Sequence, residues 1–409
     1  MNILLVCHRV PWPLNDGGNI AMYRMAEMLA AGGHQVTLFA LNTKKHYVRE
    51  DSLSAGSLGR FHPVTVPIDT SLRAGRAFIN LFRADESYNV VRFFDTGAAQ
   101  RLKEVLRSQR FDIVQFESTF TLPYLETVRR HSSAICILRS HNVEHLIWER
   151  LAAESGNPLR RSYLRLLARR LRRYEETTYG LLDAILPITD TDAAIIRKSA
   201  RNIPLRTVPL GIDPSAIAVQ NWKPGTPLRL FHLGSMDWQP NIEGVKWLLE
   251  AIWPKIHRRF PDLELYLAGR SFPEHMMHTP VPGVIFSGTV PDATAFMEDK
   301  AVMLVPLRSG SGMRVKILQG LAAGKTVIST TVGAEGIDAV PGREILLADT
   351  PEEFLDRIAY CVDQPAECRA VGKAGRKLTE EKYSDRAISE KLFDFYKQLL
   401  EGQLSMRMV

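Results

Sequence analysis

The sequence predicts an α/β protein made of two doubly wound domains, each a parallel sheet covered by helices. Three observations carry this. Short apolar runs alternate with amphipathic stretches along almost the whole chain. The runs are continuously apolar rather than alternating, which marks strands buried on both faces. Near the middle, "RTVPLGIDPSAIAVQNWKPGTP" (206–227) replaces the periodic pattern with proline, glycine and polar residues, as a domain boundary does. A chain of 409 residues is long enough for two cores.

In the first half the runs at 2–8, 35–41, 112–117, 134–140 and 183–189 are expected as strands. In the second half the strands are expected at 228–234, 263–269, 284–289, 301–307, 326–331 and 344–349. Helical periodicity fits between most of them. From Asn241 to Lys255, Val245, Leu248, Leu249 and Ile252 share one face. The segment 384–400 reads as a long helix starting at Ser384 or Asp385. The expected division is 1–207, 208–383, and a C-terminal helix and tail over 384–409.

Composition narrows the class. Hydrophobic residues make up 45% and charged residues 24%, as in ordinary globular proteins. Cys7, Cys136, Cys361 and Cys368 form neither a metal-ligand pair of short spacing nor a disulfide framework, so a reducing, cytoplasmic setting is expected. "MNILLVCHRVPWP" reads as a first strand rather than a signal peptide, and no apolar run has the ~18 residues of a membrane span. The net charge of +7 hints at an anionic partner without naming it.

Four motifs carry candidate chemistry. In "VPLRSGSGMRVKILQGLAAGKTVIST" (305–330), a buried strand leads through a glycine loop into a helix. Arg314 and Lys316 stand at the positive end of that helix, where cations are disfavoured unless an anion fills the gap. Gly310 and Gly312 permit an anion-binding nest, Ser311 adds a hydroxyl, and Gln319 lies one turn beyond Lys316. A diphosphate matches this array; a solvent-exposed basic helix is the plainer reading. In "HRVPWPLNDGGNIAMYRMAEML", Gly17 and Gly18 sit at the mouth of a strand–helix unit, either as a plain turn or as a loop that lets a ligand approach backbone. In "LRSHNVEHLIWER" (138–150), His141, Asn142 and Glu144 follow a strand end. His141 is either a sugar-contacting or leaving-group-polarising residue or a capping histidine, while His145 and Trp148 read as packing residues. In "LRRSYLRLLARRLRRYEE" (159–176), Arg161, Arg165, Arg169 and Arg173 make a like-charge row beside a stripe of Leu164, Leu167 and Leu171. That helix suits an anionic membrane surface or a solvated face. No metal set has convincing spacing, and nothing combines aromatics with basic strands as nucleic-acid binding requires.

Taken together, the Gly17-Gly18 loop, "SHNVE", "VPLGID" (208–213), "HLGSMDWQPNIEGVKWLLE" (232–250) and the 310–330 segment resemble the retaining, GT-B-fold glycosyltransferases of the family-4 type. They are especially similar to bacterial sugar transferases of polysaccharide assembly. The resemblance covers nearly the whole chain and is looser between 45 and 110. It implies a GT-B architecture, two Rossmann-like domains facing a central cleft, with the C-terminal helix crossing back to the first. It implies a nucleotide-sugar donor whose diphosphate is held by Gly312, Met313, Arg314 and Lys316. Gln319 would meet the donor ribose and Val290 its base. Gly17, Gly18, Gly234, Ser235 and Ser311 would be donor-facing loop positions, and His141 the catalytic-site histidine near the transferred sugar. It further implies retention of configuration, no metal or other cofactor, and a glycan or lipid-linked acceptor; with the basic helix, that makes a peripheral place at the inner membrane face an expectation.

One departure stands out. The family's two glutamates, separated by seven intervening residues, correspond here to Ser311 and Gln319. Gln319 can accept a hydrogen bond from a ribose hydroxyl, but without charge. Gln319 thus keeps open a binding protein that does not turn over donor; a sugar-nucleotide epimerase or hydrolase of GT-B architecture is a separate alternative reading.

Overall fold

A computed structural model describes residues 1–14, 17–49, 51–52, 58–71, 87–219, 222–223, 226–278, 280–310 and 312–407. The chain divides into two compact units, Met1–Leu210 with Ile388–Val409, and Gly211–Ala387.

The first unit is built on β1 (Asn2–Cys7), β2 (Gln35–Thr43), β3 (Pro63–Ile68), β4 (Ile113–Glu117), β5 (Ile135–Ser140) and β6 (Ala184–Pro187), in the order β3-β2-β1-β4-β5-β6. Every pairing is parallel. The strand order reverses between β1 and β4, the kind of switch point where ligands bind beyond the strand C-termini. Successive residues of β1 point to opposite faces. Ile3 and Leu5 join a core with Met22, Met25 and Leu29 of α1 (Gly17–Ala31), while Leu4 and Val6 join one with Leu102 and Leu106 of α2 (Thr96–Ser108). The strands thus lose water on both sides, as their continuous apolarity requires. Other helices are α3 (Leu125–His131), α4 (Glu144–Glu154), α5 (Pro158–Tyr179) and α6 (Asp190–Ser199). Local chemistry starts them. Asp95 accepts from Ala98 N at 2.9 Å at the head of α2, and Asn157 with Pro158 starts α5.

The second unit repeats the plan with β7 (Arg229–Leu233), β8 (Glu264–Ala268), β9 (Val284–Gly288), β10 (Val302–Val305), β11 (Thr326–Ser329) and β12 (Leu346–Leu347), in the order β12-β11-β10-β7-β8-β9. Its switch point lies between β7 and β10. The helices that matter are α7 (Gln239–Trp247), α8 (Val315–Ala322), α9 (Pro351–Asp363) and α10 (Pro365–Leu378). The last helix, α11 (Asp385–Arg407), returns Ile388, Leu392, Phe395 and Tyr396 to the first unit's core.

Three elements depart from expectation. β3 is a strand that the apolar runs do not announce. It is half exposed, carries Pro63 and Pro67, and pairs only with β2; edge strands tolerate proline because one side donates to nothing. The helix expected over 241–255 widens to a π-helical turn at Leu248–Ile252 and resumes at Trp253–Arg259. Pro254 follows directly, and its ring excludes the carbonyl four residues back. The strand expected over 344–349 keeps only Leu346–Leu347, because Glu344 is buried and turns back to accept from Val340 N at 2.7 Å.

Candidate active site

In the second unit, the loop after β10 passes through Gly310 (φ +114°) and Gly312 (φ +77°) into α8. Both conformations favour glycine. A Cβ on Gly310 would lie 2.8 Å from the Arg314 guanidinium, so the missing side chain is what lets Arg314 close on the loop. Arg314 is the residue preceding the first turn of α8 rather than within it, and it is only 5% exposed. Its Nη1 donates to Gly312 O at 2.6 Å, and its guanidinium lies 5.4 Å from the Trp238 ring centroid. Met313 is buried beside it, and Ser311 lies outside the described residues.

Lys316 reaches the other way. Its Nζ donates to Asn241 Oδ1 at 2.7 Å, and Asn241 Nδ2 donates to Ser235 O at 2.8 Å. These bonds join α8, the head of α7 and the loop after β7. Among the described residues no carboxylate lies within ion-pair distance of Lys316. Burial, then the Arg314 charge, pull its pKa down to about 7. His232, on β7 beside Gly234, is fully buried; its Nδ1–H donates to Leu304 O at 2.8 Å. Burial, then Lys316, lower its pKa to about 3, so it is neutral.

Gly234 and Ser235 stand at the same strand edge. Ser235 Oγ donates to Asp237 Oδ1 at 2.6 Å and receives Arg270 Nε at 2.9 Å, while Arg270 Nη2 meets Asp237 Oδ2 at 3.0 Å. Gln319 sits half-buried one turn beyond Lys316, and Val290 follows β9, the edge strand two places from β7. The fold therefore gathers Gly312, Arg314, Lys316, Gly234 and Ser235 around the switch point, with Gln319 next in line. It sets Val290 apart along the same edge.

In the first unit, His141 follows β5 and its side chain is 12% exposed. Its Nε2 lies 2.8 Å from Oε2 of Glu117, the last residue of β4 and fully buried. Arg139 Nη1 stands 3.4 Å from the same oxygen and also donates to Ala21 O in α1, at 3.0 Å. Gly17 and Gly18 begin α1, and Asn19 Nδ2 closes the preceding loop on Pro13 O at 2.9 Å. Burial opposes ionisation of Glu117, but Arg139 and then His141 hold its pKa below the ordinary carboxylate value. Burial, against Glu117, lowers the pKa of His141, with Arg139 and Arg9 acting in the same sense. His8 donates from Nδ1 to Glu117 O at 3.1 Å.

A second carboxylate, Glu175 of α5, caps α4. It accepts Glu144 N at 3.0 Å, His145 N at 3.1 Å and the His145 ring at 2.7 Å. His145 is thus a buried structural residue. Burial, then Glu175, push Glu144 up to about 8, so it carries a proton at neutral pH. On α5, Leu164, Leu167 and Leu171 are buried while Arg165, Arg169 and Arg173 are exposed; Arg161 instead donates to Ser155 O. Among the described residues no helix is long and apolar enough to cross a membrane, and no group of three His, Cys, Asp or Glu side chains converges as metal ligands.

Glu117, Asn241, Arg270 and His232 also stand at these two strand edges, and motif reading passes over them. Each had one available signal, a polar side chain at or just past the C-terminal end of a buried strand or at the head of the next helix. That is where open α/β sheets place ligands.

Two six-stranded parallel sheets of this order, with polar switch points, define a two-domain Rossmann-like protein of GT-B type. Residues 15–216 match the family model Glycosyltransferase Family 4, and residues 227–364 match Glycosyl transferases group 1. The chain is 20% identical, over 96% of its length and 98% of the relative's, to an uncharacterised 44.6 kDa protein in the cps region of Klebsiella pneumoniae. Among solved structures it is similar to sucrose-phosphate synthase from Thermosynechococcus elongatus (TM-score 0.70, 17% identity, 98% of this chain and 100% of that one). It is also similar to Anabaena HepE in complex with UDP-glucose (TM-score 0.63, 11% identity, 98% and 99%). The two family matches, one on each half, support a glycosyltransferase of the GT-B type.

Proposed function

We propose that the protein transfers a sugar, with retention of configuration, from a nucleotide-sugar donor to a glycan or lipid-linked acceptor in polysaccharide assembly. The observation that carries this reading is the charge at the head of α8. Lys316 is half-buried at a helix N-terminus with an amide oxygen as its partner, and Arg314 braces the glycine loop beside it. Such a cation is stabilised by an anion that also accepts from the free helix N–H groups. A diphosphate leaving group fits both demands, and its developing charge is what the array would stabilise. No metal is needed in this reading, because Arg314 and Lys316, protonated when the anion binds, serve that purpose.

Gln319 and Val290 are assigned to the ribose and base of the donor, and His141 to the reacting sugar. The UDP-glucose bound by HepE and the cps location of the Klebsiella relative support a sugar-nucleotide donor and a polysaccharide product. The exposed Arg165, Arg169 and Arg173 favour an anionic membrane surface, consistent with a lipid-linked acceptor at the cytoplasmic face.

The test is thermal stabilisation by UDP-, GDP-, ADP- and TDP-sugars without added metal. A ligand selective for the folded state raises the melting temperature. One nucleotide class is expected to do so, and Arg314→Ala and Lys316→Ala are each expected to weaken that binding by about tenfold or more. Unchanged nucleotide affinity in both variants would sink the phosphate assignment.

A further inference from the structure

The Glu117 side chain is surrounded by hydrogen-bond donors. Gln115 Nε2 donates to its Oε1 at 2.5 Å. Arg139 Nη1 and His141 Nε2 stand at its Oε2, at 3.4 and 2.8 Å. Behind Gln115, the Tyr396 hydroxyl donates to Gln115 Oε1. Tyr396 belongs to α11, 281 residues further along the chain, and is fully buried, as are Gln115 and Glu117. The direction of every bond follows from charge. A carboxylate has no proton to give, so the imidazole nitrogen facing it must carry one. Gln115 must likewise turn its NH₂ to Glu117 and its oxygen to the tyrosine.

We propose that Glu117 is a positioning residue that holds His141 as the Nε2–H tautomer, so that Nδ1 is an unprotonated acceptor offered to a substrate hydroxyl, and that Gln115 and Tyr396 hold Glu117 in that role. This rests on the transferase reading only in assigning the hydroxyl to a sugar. Nδ1 has no hydrogen-bond partner among the described residues. Of the roles open to an isolated histidine, this geometry selects accepting a hydrogen bond or a proton and excludes donating one to a leaving group. The charged and titratable groups around the pair agree with a neutral ring. Arg139 lies on β5 and Arg9 follows β1, so cations face His141 from two strands while one carboxylate faces it from a third; His8, beside Arg9, is neutral, its pKa lowered to about 3 chiefly by burial. Burial and these cations lower the imidazole pKa, keeping it uncharged at neutral pH. A buried carboxylate that fixes an imidazole tautomer is a general device for making a ring nitrogen a dependable base.

The experiment uses the full-length protein labelled with ¹⁵N in its histidine rings. Long-range ¹H–¹⁵N correlation, with His141→Asn identifying the signal, reports the tautomer directly. The wild type is expected to show Nε2–H at neutral pH. Glu117→Gln should populate Nδ1–H and lower kcat by about 10²-fold or more, with donor KM and donor-induced thermal shift near wild type. Glu117→Asp, which keeps the charge, should recover part of the loss, and Tyr396→Phe should move both readouts the same way but less. Leu392→Ala, which loosens α11 without touching the chain of bonds, should lower thermal stability and leave the tautomer alone. Wild-type His141 found as Nδ1–H or as imidazolium overturns the proposal. So does Glu117→Gln with unchanged tautomer and kcat. If the wild type turns over no sugar nucleotide, the transferase reading fails, while the tautomer measurement still decides the role of Glu117.

Discussion

Lys316 owes its low proton affinity to where it stands. Its ammonium is half-buried against Asn241 Oδ1 from α7, with Arg314 on its own approach and neutral His232 on β7. With a pKa of about 7, the unliganded side chain is half protonated near neutrality. A bound diphosphate favours the charged form, so binding takes up a proton. The sign follows: affinity is greatest below pH 7, where the proton is already present, and falls as pH rises through it, by at most about tenfold per unit. Titration calorimetry with UDP from pH 6 to 9, in buffers of different ionisation enthalpy, measures both the affinity and the proton. Lys316→Met should flatten the profile. A wild-type profile that is already flat would remove Lys316 from the anion site. At this scale the sequence was readable where charge conflicted with local structure, as with Arg314 and Lys316 against a helix dipole. It was silent about Glu117, which closes the apolar run "DIVQF" and gains meaning only when β5 places His141 beside it.

Elements set these side chains by how closely they pack. Gly244 in α7 is pressed on the strand-end backbone, and a Cβ there would lie 2.6 Å from Pro306 O. That approach is what lets Asn241, three residues earlier, reach Lys316. Gly244→Ala should therefore push α7 outward, costing about 1–3 kcal/mol, and should weaken UDP binding as Lys316 loses its partner. Calorimetric melting with and without UDP tests both. If melting and UDP affinity match the wild type, the helix is not what positions the lysine. Continuity of the pattern along the chain explains why α8 could be anticipated while β3 could not. The amphipathic pattern of α8 is continuous in sequence, whereas β3 is half exposed, bounded by prolines, and recognisable only through its pairing with β2.

At the scale of the whole molecule, the chain's last helix completes its first unit. Leu392 is fully buried in a core with Ile3, Leu5, Met25 and Leu29. Leu392→Ala should cost about 2–5 kcal/mol, all of it in the first unit. Two units with separate cores need not melt together, so calorimetry is expected to resolve two transitions. UDP should raise the one belonging to the second unit, and Leu392→Ala should lower the other. A variant that lowers the UDP-sensitive transition instead would contradict the placement of α11.

The sequence alone determined what periodicity and local chemistry encode: two parallel sheets, the helices between them, a glycine loop feeding a cationic helix start, and a histidine at a strand end. These follow from side chains a few residues apart, where burial and capping act on one element at a time. The tertiary structure decided which distant residues share a site. Asn241 meets Lys316 across 75 positions, and Glu117 meets His141 across 24. Tyr396 meets Gln115 across 281. No local preference specifies such contacts, because buried polar groups must find partners wherever the packing of the whole core brings donor and acceptor together.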